Sequence, residues 1–400
     1  MTTDHADLLL ASPLGRSLVL DAVGIDEIGL YQRLDLGLPP GVSQFTASPQ
    51  GRRPRRLRTS HLRLHWPGAP RRRSARAERD RLELIAGVRP EAVRDVIAAA
   101  VANGGWRACL QDSPVQWLDR LQRHTFHFGF SPGHEALWQL SEHACYLLQP
   151  VARAITAAPG TSAWWQPLGR SDQRLIQWWA DAPRTGADLE RAVREGAARE
   201  RAENEEGIAR AQAEPRRPGV RYGATWWSAP DWAEANWTTS PAGDWPSIEL
   251  AQFIDTLIPA SEADATIWSV QVADDARVLE ITGPADWQDL AERLGRDVTG
   301  THDGEWRDWG QASGPWRLPD WELVMDDYDG VHVTIGGYVA SCGLALPVTG
   351  GYTMLAGWVP GATLWLRDVA TARRRLGRWT GPLGGLDPSD LAAHWHPDNP

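Results

Sequence analysis

The feature that most constrains the fold is a change in apolar spacing at Pro215–Gly219, where proline, arginine and glycine interrupt the chain. Before this cluster, apolar residues recur at helical intervals, most clearly between Arg89 and Gly104. After it, short runs rich in β-branched and aromatic residues alternate with turn residues, which is typical of β-strands. The pattern predicts an α+β protein with a helix-rich N-terminal half and a sheet-dominated, tryptophan-rich C-terminal half.

The same cluster is the best candidate for a domain boundary, because few contacts cross linkers of this composition. A chain of 400 residues is long enough for about two domains. We therefore predict a mainly helical domain over residues 1–185, a charged helical linker over 186–218 and an α+β domain over 219–400. The last of these is expected to fold by itself.

Individual elements follow from the same spacing. Helices are predicted at Arg89–Gly104, His134–Pro150, Asp188–Glu214, Ile248–Ile258 and Pro284–Leu294. Strands are predicted at Thr266–Val272, Arg277–Ile281, Gly330–Ile335, Tyr352–Trp358 and Thr363–Leu366. Most of the tryptophans follow Gly219, but the Asp-Trp pairs among them recur at irregular intervals. This irregularity excludes a repeat architecture such as a propeller.

Composition indicates the compartment. The longest clean apolar run, Val96–Ala102, is far shorter than the roughly 20 residues that a membrane-spanning helix requires. No basic and apolar leader follows Met1. Cys109, Cys145 and Cys342 are far apart and match no disulfide or metal pattern, so free thiols are expected. We expect a cytoplasmic protein without membrane contact.

All 41 basic residues are arginine, and this composition excludes several classes of enzyme. A P-loop requires a lysine on the nucleotide phosphates, a protein kinase requires its strand lysine, and a pyridoxal enzyme requires a Schiff-base lysine. The sequence also lacks the G-x-S-x-G and G-x-G-x-x-G motifs of the common hydrolases and dinucleotide-binding folds.

Twelve arginines and only two acidic residues lie between Arg52 and Arg81, although the net charge of the chain is −10. Prolines within this stretch favour an exposed arm over a helix. Its arginines can neutralise phosphates, and His61, His65 and Trp66 offer flat groups for stacking on bases. Two interpretations of residues 52–81 stay open: an exposed arm without a nucleic-acid role, which is favoured, and an arm that contacts a nucleic acid or a protein acceptor.

Histidines cluster before Cys145, but their spacing does not suit a metal site. His134 and His143 are nine residues apart and would lie on opposite faces of one helix. Glu135 and Glu142 share a face, which is compatible with a paired-carboxylate site or with an ordinary solvated face. No metal is expected.

Several segments after the boundary occur in a recognisable order. They are Val220–Gly223, Trp237–Ser240 with the sequence Trp-Thr-Thr-Ser, Arg277–Leu290, Asp327–His332 and Tyr352–Pro360. Their order resembles the layout of the ADP-ribosyltransferases, in which a first strand, a serine motif with a following strand and helix, and a closing strand build the site. The resemblance covers residues 219–368.

The resemblance implies an ADP-ribosyltransferase-like domain with NAD as its substrate. In that family an arginine on the first strand holds the dinucleotide phosphates, and a Ser-Thr-Ser-like segment braces the site. Arginine suits this role as a bidentate donor to phosphate, and tryptophans offer surfaces for the nicotinamide and adenine rings. The expected cofactor-binding residues are Arg221, Trp226, Trp227, Thr238, Thr239 and Ser240.

The late catalytic glutamate of the family is missing, because Gly350 and Gly351 stand where the closing strand should begin. Glu280 and His332 are the candidate catalytic residues in its place, and Asp329 is a further one. Without a substitute, the domain would bind a nucleotide and transfer nothing.

Two alternative functions, each of a different class, stay open. One is a non-enzymatic protein that recognises a protein or small ligand through its aromatic half and touches nucleic acid through its arginine arm. The other is a biosynthetic enzyme of unfamiliar type with a tryptophan-lined pocket. The missing glutamate favours the first of these, whereas the order of the segments favours the transferase.

Overall fold

The computed structural model describes residues 4–25, 89–128, 142, 144–178, 189–213, 225–230, 237–253, 262–382 and 391–398. The predicted arginine arm at 52–81, Arg221 and the segment around His134 lie outside these residues. Within the described ranges, every strand but one follows residue 236 and the N-terminal half is mainly helical. The α+β prediction is therefore confirmed.

Helices occur along the whole described chain. Their bounds are α1 His5–Ala11, α2 Pro13–Ala22, α3 Pro90–Asn103, α4 Pro114–Phe128, α5 Gln149–Thr156, α6 Leu189–Ala213, α7 Ile248–Phe253, α8 Pro284–Leu294, α9 Thr299–Gly310, α10 Trp321–Asp327, α11 Ile335–Ser341 and α12 Leu391–His394. Prolines begin several of them, because the first turn of a helix needs no N–H donor. Gly104 ends α3 in the left-handed conformation, as its position in the sequence predicts.

The predicted C-terminal end of the helix at His134–Pro150 is wrong. A short 3-10 helix, Cys145–Leu148, leads directly into α5, and Pro150 lies in the first turn of α5. Since the N–H that proline lacks has no helical partner in a first turn, Pro150 starts a helix here and does not end one.

Strands form two sheets in the described residues. Their bounds are β1 Gln173–Trp178, β2 Trp237–Thr239, β3 Glu262–Val272, β4 Val278–Ile281, β5 Gly295–Asp297, β6 Trp316–Pro319, β7 Gly330–Val333, β8 Leu346–Val348, β9 Gly351–Thr353, β10 Ala362–Trp365, β11 Ala370–Pro382 and β12 Trp395–Pro397. The large sheet has the order β12-β11-β3-β1-β2-β10-β7-β4, and the small sheet has the order β5-β6-β9-β8. Within the large sheet, β4 and β7 are parallel, and the other neighbours are antiparallel.

The position of β1 revises the predicted domain boundary. This strand comes from the N-terminal half, yet it lies between β3 and β2 in the middle of the large sheet. It pairs with β3 along its whole length, from Gln173 opposite Val270 to Trp178 opposite Ala265. The sheet of the predicted 219–400 domain is therefore interrupted unless β1 is present. We therefore expect that residues 219–400 do not fold by themselves.

Ser12 links the N-terminus to the C-terminal half. Its hydroxyl accepts a hydrogen bond from the Gly15 N–H at 2.8 Å and so caps α2. The same hydroxyl donates to the carbonyl of Val339 in α11. Ser12 is fully buried, and the apolar side chains around it belong to one core that includes residues from both halves.

The charged helix predicted at 188–214 is present as α6, but one of its faces is packed. Gly207 crosses α9 at Gly300 with no room for a side chain on either glycine. Close by, the Asn204 side chain accepts a hydrogen bond from the Gly300 N–H at 2.8 Å. Arg201 also forms ion pairs with Asp320 and Glu322. The helix that was predicted to be a solvated linker is therefore fastened to the C-terminal half.

Tryptophans fill the space on one side of the large sheet. Trp237 of β2 contacts Trp358 with ring centroids 4.7 Å apart, and Trp358 contacts Trp287 of α8 and Trp321 of α10 at 6.0 and 5.9 Å. Such edge-to-face and tilted pairs contribute beyond the area that they bury. The other side of the sheet holds a smaller apolar cluster and a set of polar side chains.

Candidate functional site

Two candidate catalytic residues, Glu280 and His332, meet on the parallel strands β4 and β7. They occupy paired positions in the register of these strands, and each is the second-to-last residue of its strand. The Nε2 atom of His332 lies 3.9 Å from the Oε2 atom of Glu280. Ligands of α/β proteins bind beyond the carboxyl ends of parallel strands, and this pair lies one residue before those ends.

The imidazole of His332 is buried and held from one side. Its Nδ1 atom shares a hydrogen bond of 2.9 Å with the hydroxyl of Thr363, which lies opposite it on β10. Burial lowers the pKa of His332 to about 4. The ring is therefore neutral near pH 7, and the 3.9 Å approach to Glu280 is not an ion pair. A neutral imidazole is able to accept a proton.

Only one of the two carboxyl oxygens of Glu280 has a hydrogen-bond partner among the described residues. Its Oε1 atom accepts a hydrogen bond of 3.1 Å from the Leu168 N–H. Its Oε2 atom is buried and has no hydrogen-bond partner among the described residues. Burial raises the pKa of Glu280, against the opposing effects of the Leu168 N–H and of the positive charge of Arg170. Burial thus favours the neutral form of both groups, the unprotonated imidazole of His332 and the protonated carboxyl of Glu280.

Other polar side chains lie beside the pair on the same face of the sheet. Together they form a polar row, which consists of Glu280, His332, Thr363, Thr238, Gln173 and Ser240. Thr363 pairs with Thr238 of β2, whose hydroxyl donates to the Gln173 side-chain oxygen at 2.8 Å. The Gln173 amide in turn donates to the Ser240 hydroxyl at 3.0 Å. Three strand spacings separate β2 from β4, which is about 14 Å.

The structure brings Glu280, His332, Thr238 and Ser240 to one face, but it does not bring all predicted residues there. Thr239 follows Thr238 in the strand and so faces the opposite way, where its hydroxyl lies 2.7 Å from that of Ser247.

Trp226 and Trp227 also lie away from the polar row. The ring of Trp226 contacts Trp309 of α9, and that of Trp227, which is 53% exposed, lies against Gly357. Their backbone carbonyls accept hydrogen bonds from Trp306 and His302. Both residues therefore belong to the side of the sheet that carries Trp358, and the stacking role predicted for them has no geometric link to Glu280 and His332.

Local backbone geometry explains why glycines stand at 350 and 351, where the resemblance would place a glutamate. Gly350 has a φ of 83° in the turn between β8 and β9. At Gly351, a Cβ atom would lie 2.1 Å from the carbonyl oxygen of Pro315. A glutamate cannot replace Gly351 without moving the backbone of this small sheet.

Sequence reasoning missed the residues that support the pair. Thr363 and Gln173 carry no motif, and their roles depend on pairing between strands that are far apart in the sequence. The contribution of Leu168 is a backbone N–H, which no side-chain pattern reveals. Their common signal is the alternation of side chains in β10 and β1, but this pattern becomes informative only when the order of the strands is known.

Other parts of the described chain offer weaker sites. No group of three His, Cys, Asp or Glu side chains in the described ranges is arranged to hold a metal ion. A surface groove of about 620 Å³ lies between α8 and β8, but none of the candidate residues lines it. None of the described helices is long and apolar enough to cross a membrane.

Comparison with known proteins does not identify a relative: no family model, no curated protein and no solved structure matches the chain. The chemistry of the site therefore has to be argued from its own geometry.

The buried histidine predicts a pH dependence of stability. The unfolded chain protonates His332 near pH 6.5, whereas the folded protein resists protonation until about pH 4. The unfolded state thus binds more protons in this window, so the free energy of unfolding falls by up to about 3 kcal/mol as the pH drops from 6.5 to 4. Glu280, whose folded-state pKa is raised, acts in the opposite direction above its ordinary value of 4.5 and offsets part of this loss.

Denaturant titration of a His332→Gln variant measures this contribution. We expect a smaller decline in stability between pH 6.5 and 4 than in the wild type. A residual decline should persist, because burial also lowers the pKa of His302 to about 4. His396→Gln, a change at an exposed histidine, is the control. An unchanged decline in the His332→Gln variant would show that His332 does not resist protonation in the folded state.

Proposed function

We propose that the protein is an NAD-directed transferase that breaks the bond between nicotinamide and ribose and passes the ADP-ribosyl group to an acceptor. The observation that carries the proposal is the pair of Glu280 and His332, with a half-satisfied carboxyl group next to a neutral imidazole. The ordered segments that resemble the ADP-ribosyltransferases support the choice of NAD.

The pair suits this reaction because its transition state develops positive charge on the ribose. When the C1′–N bond breaks, both electrons go to the ring nitrogen, and nicotinamide leaves as a neutral molecule. The Glu280 carboxylate stabilises the oxocarbenium-like ribose, as carboxylates do in glycoside cleavage. The acceptor then bonds to C1′ while His332 takes its proton, which is a general-base role for a neutral imidazole.

The polar row supplies groups for the rest of the substrate. Ser240 and Thr238 lie on the same face as the pair and within about 14 Å of it, which is comparable with the length of a dinucleotide. The Thr238 hydroxyl is buried and already bonded to Gln173 and to the Trp365 indole, so it supports the row, whereas the partly exposed Ser240, which accepts from the Gln173 amide, is the group that can face the substrate. Arg221, which lies outside the described residues, would neutralise the phosphates as the resemblance implies.

Calorimetry with NAD tests the proposal. We expect Arg221→Ala to weaken NAD binding by about 1.5–3 kcal/mol, the contribution of a charge-assisted hydrogen bond, which is roughly 10- to 100-fold. Trp227→Ala is a matched control, because Trp227 is exposed and lies away from the polar row. No detectable binding of NAD to the wild type at millimolar concentration would remove the proposal. It would favour a non-enzymatic interaction protein, whose arginine arm can then be tested for salt-dependent binding of nucleic acid.

A further inference from the structure

Residues 165–169 cross over Glu280 and are fixed at both ends. Before them, the buried Trp164 accepts a hydrogen bond through its carbonyl from the Gly336 N–H at 2.8 Å. After them, Arg170 donates to the carbonyls of Ala273, Asp274 and Ala276 at 2.7–2.9 Å. The segment between these anchors is termed the strap.

Leu168 connects the strap to Glu280. Its N–H donates to Glu280, and its side chain packs against the small apolar cluster on this side of the sheet. Gln166, Pro167 and Gly169 are exposed, so nothing in the described structure covers the strap from outside. The carbonyl of Gly169 accepts a hydrogen bond from the Gln173 side-chain amide at 3.0 Å, which helps to hold this end of the strap.

Trp165 is the latch of the strap. Its ring lies against Gly336, where a Cβ atom would be only 2.4 Å from the ring. On α1, the imidazole of His5 stacks on Trp165 with centroids 4.2 Å apart and planes at 4°. These two contacts hold the ring flat against the start of α11, close to the end of β7 that carries His332.

Two buried polar atoms remain without partners when the strap is closed. They are the indole Nε1 of Trp165 and the Oε2 of Glu280, for which no hydrogen-bond partner exists among the described residues. A buried polar atom without a partner destabilises the state that contains it. Moving the strap admits water to both atoms at once, so the same displacement relieves both deficits.

We infer that residues 165–169 form a gate over the Oε2 atom of Glu280, with Trp165 as the latch. Opening the gate lifts the Trp165 ring from Gly336 and releases the Leu168 N–H from the carboxyl group. Both oxygens of the Glu280 carboxyl group then become accessible to a ligand, whereas in the closed state Oε2 is buried. That the ligand is NAD rests on the proposed function, but the opening itself does not.

Carbodiimide labelling of carboxyl groups tests the gate in the full chain without NAD. Cleavage after arginine releases one peptide, residues 278–293, that contains both Glu280 and the exposed Glu292 as an internal reference. In the wild type we expect Glu280 to react about tenfold more slowly than Glu292, because in the closed state its Oε2 atom is buried and its Oε1 atom is bonded to the Leu168 N–H, although its side chain is 29% exposed. Its raised pKa would by itself favour the reaction, so slow labelling reports access.

Variants of the latch give the decisive comparison. We expect Trp165→Ala to raise labelling of Glu280 by about tenfold and to leave Glu292 unchanged, whereas Trp165→Phe, which keeps a ring on Gly336, stays near the wild type. His5→Ala removes half of the stack from an exposed position and should act in the same direction even if Trp165→Ala does not fold.

Equal labelling of Glu280 and Glu292 in the wild type would overturn the gate. So would unchanged labelling of Glu280 in folded Trp165→Ala and His5→Ala variants. A labelling pattern that follows the latch in a protein that binds no NAD would keep the gate and remove the proposed function. If the protein binds NAD but labelling of Glu280 does not change in the latch variants, the gate is overturned and the proposed function is kept.

Discussion

Residues 218–400, expressed alone, should show no cooperative unfolding transition. The large sheet of this fragment would lack β1, which separates β3 from β2. The edges of β3 and β2 that face β1 would then expose N–H and C=O groups that β1 pairs in the full chain. The fragment would also lose Ser12, α1 and the other N-terminal side chains that complete the common core.

Co-expression of residues 1–217 with residues 218–400 is the matched control. It restores β1 and the N-terminal helices without restoring the peptide bond after Arg217. We expect the two fragments to purify together and to unfold in one transition near that of the intact chain. Circular dichroism on heating measures both results. A sharp transition for residues 218–400 alone would mean that the C-terminal part completes its core without β1.

The contrast between β1 and α8 shows what the sequence predicts and what it does not. Pro284–Leu294 was predicted with its observed bounds, because a proline at the first turn and helical apolar spacing are local signals. Gln173–Trp178 carries no such signal, since its polar and apolar residues alternate only partly and no turn residues specific to a hairpin flank it. Its place in the sheet depends on partners far away in the chain, which a local pattern does not encode.

The same contrast between local signals and long-range pairing applies to the residues of the candidate site. Glu280 and His332 were chosen one by one from the resemblance, and their adjacency follows from the parallel register of β4 and β7. Trp226 and Trp227 were chosen for their aromatic rings alone, and the structure places both against α9 and Gly357. Residue type therefore selected the candidate residues, whereas strand order decided which of them lie side by side.

Glu280→Gln should have the largest effect on turnover. The amide keeps the size of the carboxyl group and an oxygen that can accept from the Leu168 N–H, but it carries no negative charge for a developing oxocarbenium ion. We expect release of nicotinamide to fall by about 100- to 10,000-fold, the range for loss of a positioned catalytic group. His332→Gln should act on the acceptor step and lower transfer to the acceptor more than release of nicotinamide.

Glu292→Gln is the control for Glu280→Gln, because Glu292 is an exposed glutamate on α8 away from the polar row. NAD affinity should change by less than about tenfold in the Glu280→Gln variant, since the group acts on the transition state more than on the bound substrate. Equal losses of affinity and turnover would instead indicate that Glu280 only binds the substrate.

The most direct test of the Glu280–His332 centre is the rate at which purified protein releases nicotinamide from NAD, measured side by side for the wild type, Glu280→Gln and Glu292→Gln. The proposed chemistry predicts release by the wild type and by Glu292→Gln, and a loss of about 100-fold or more in Glu280→Gln. Release by Glu280→Gln at the rate of the wild type, or no release by any of the three proteins, would contradict it.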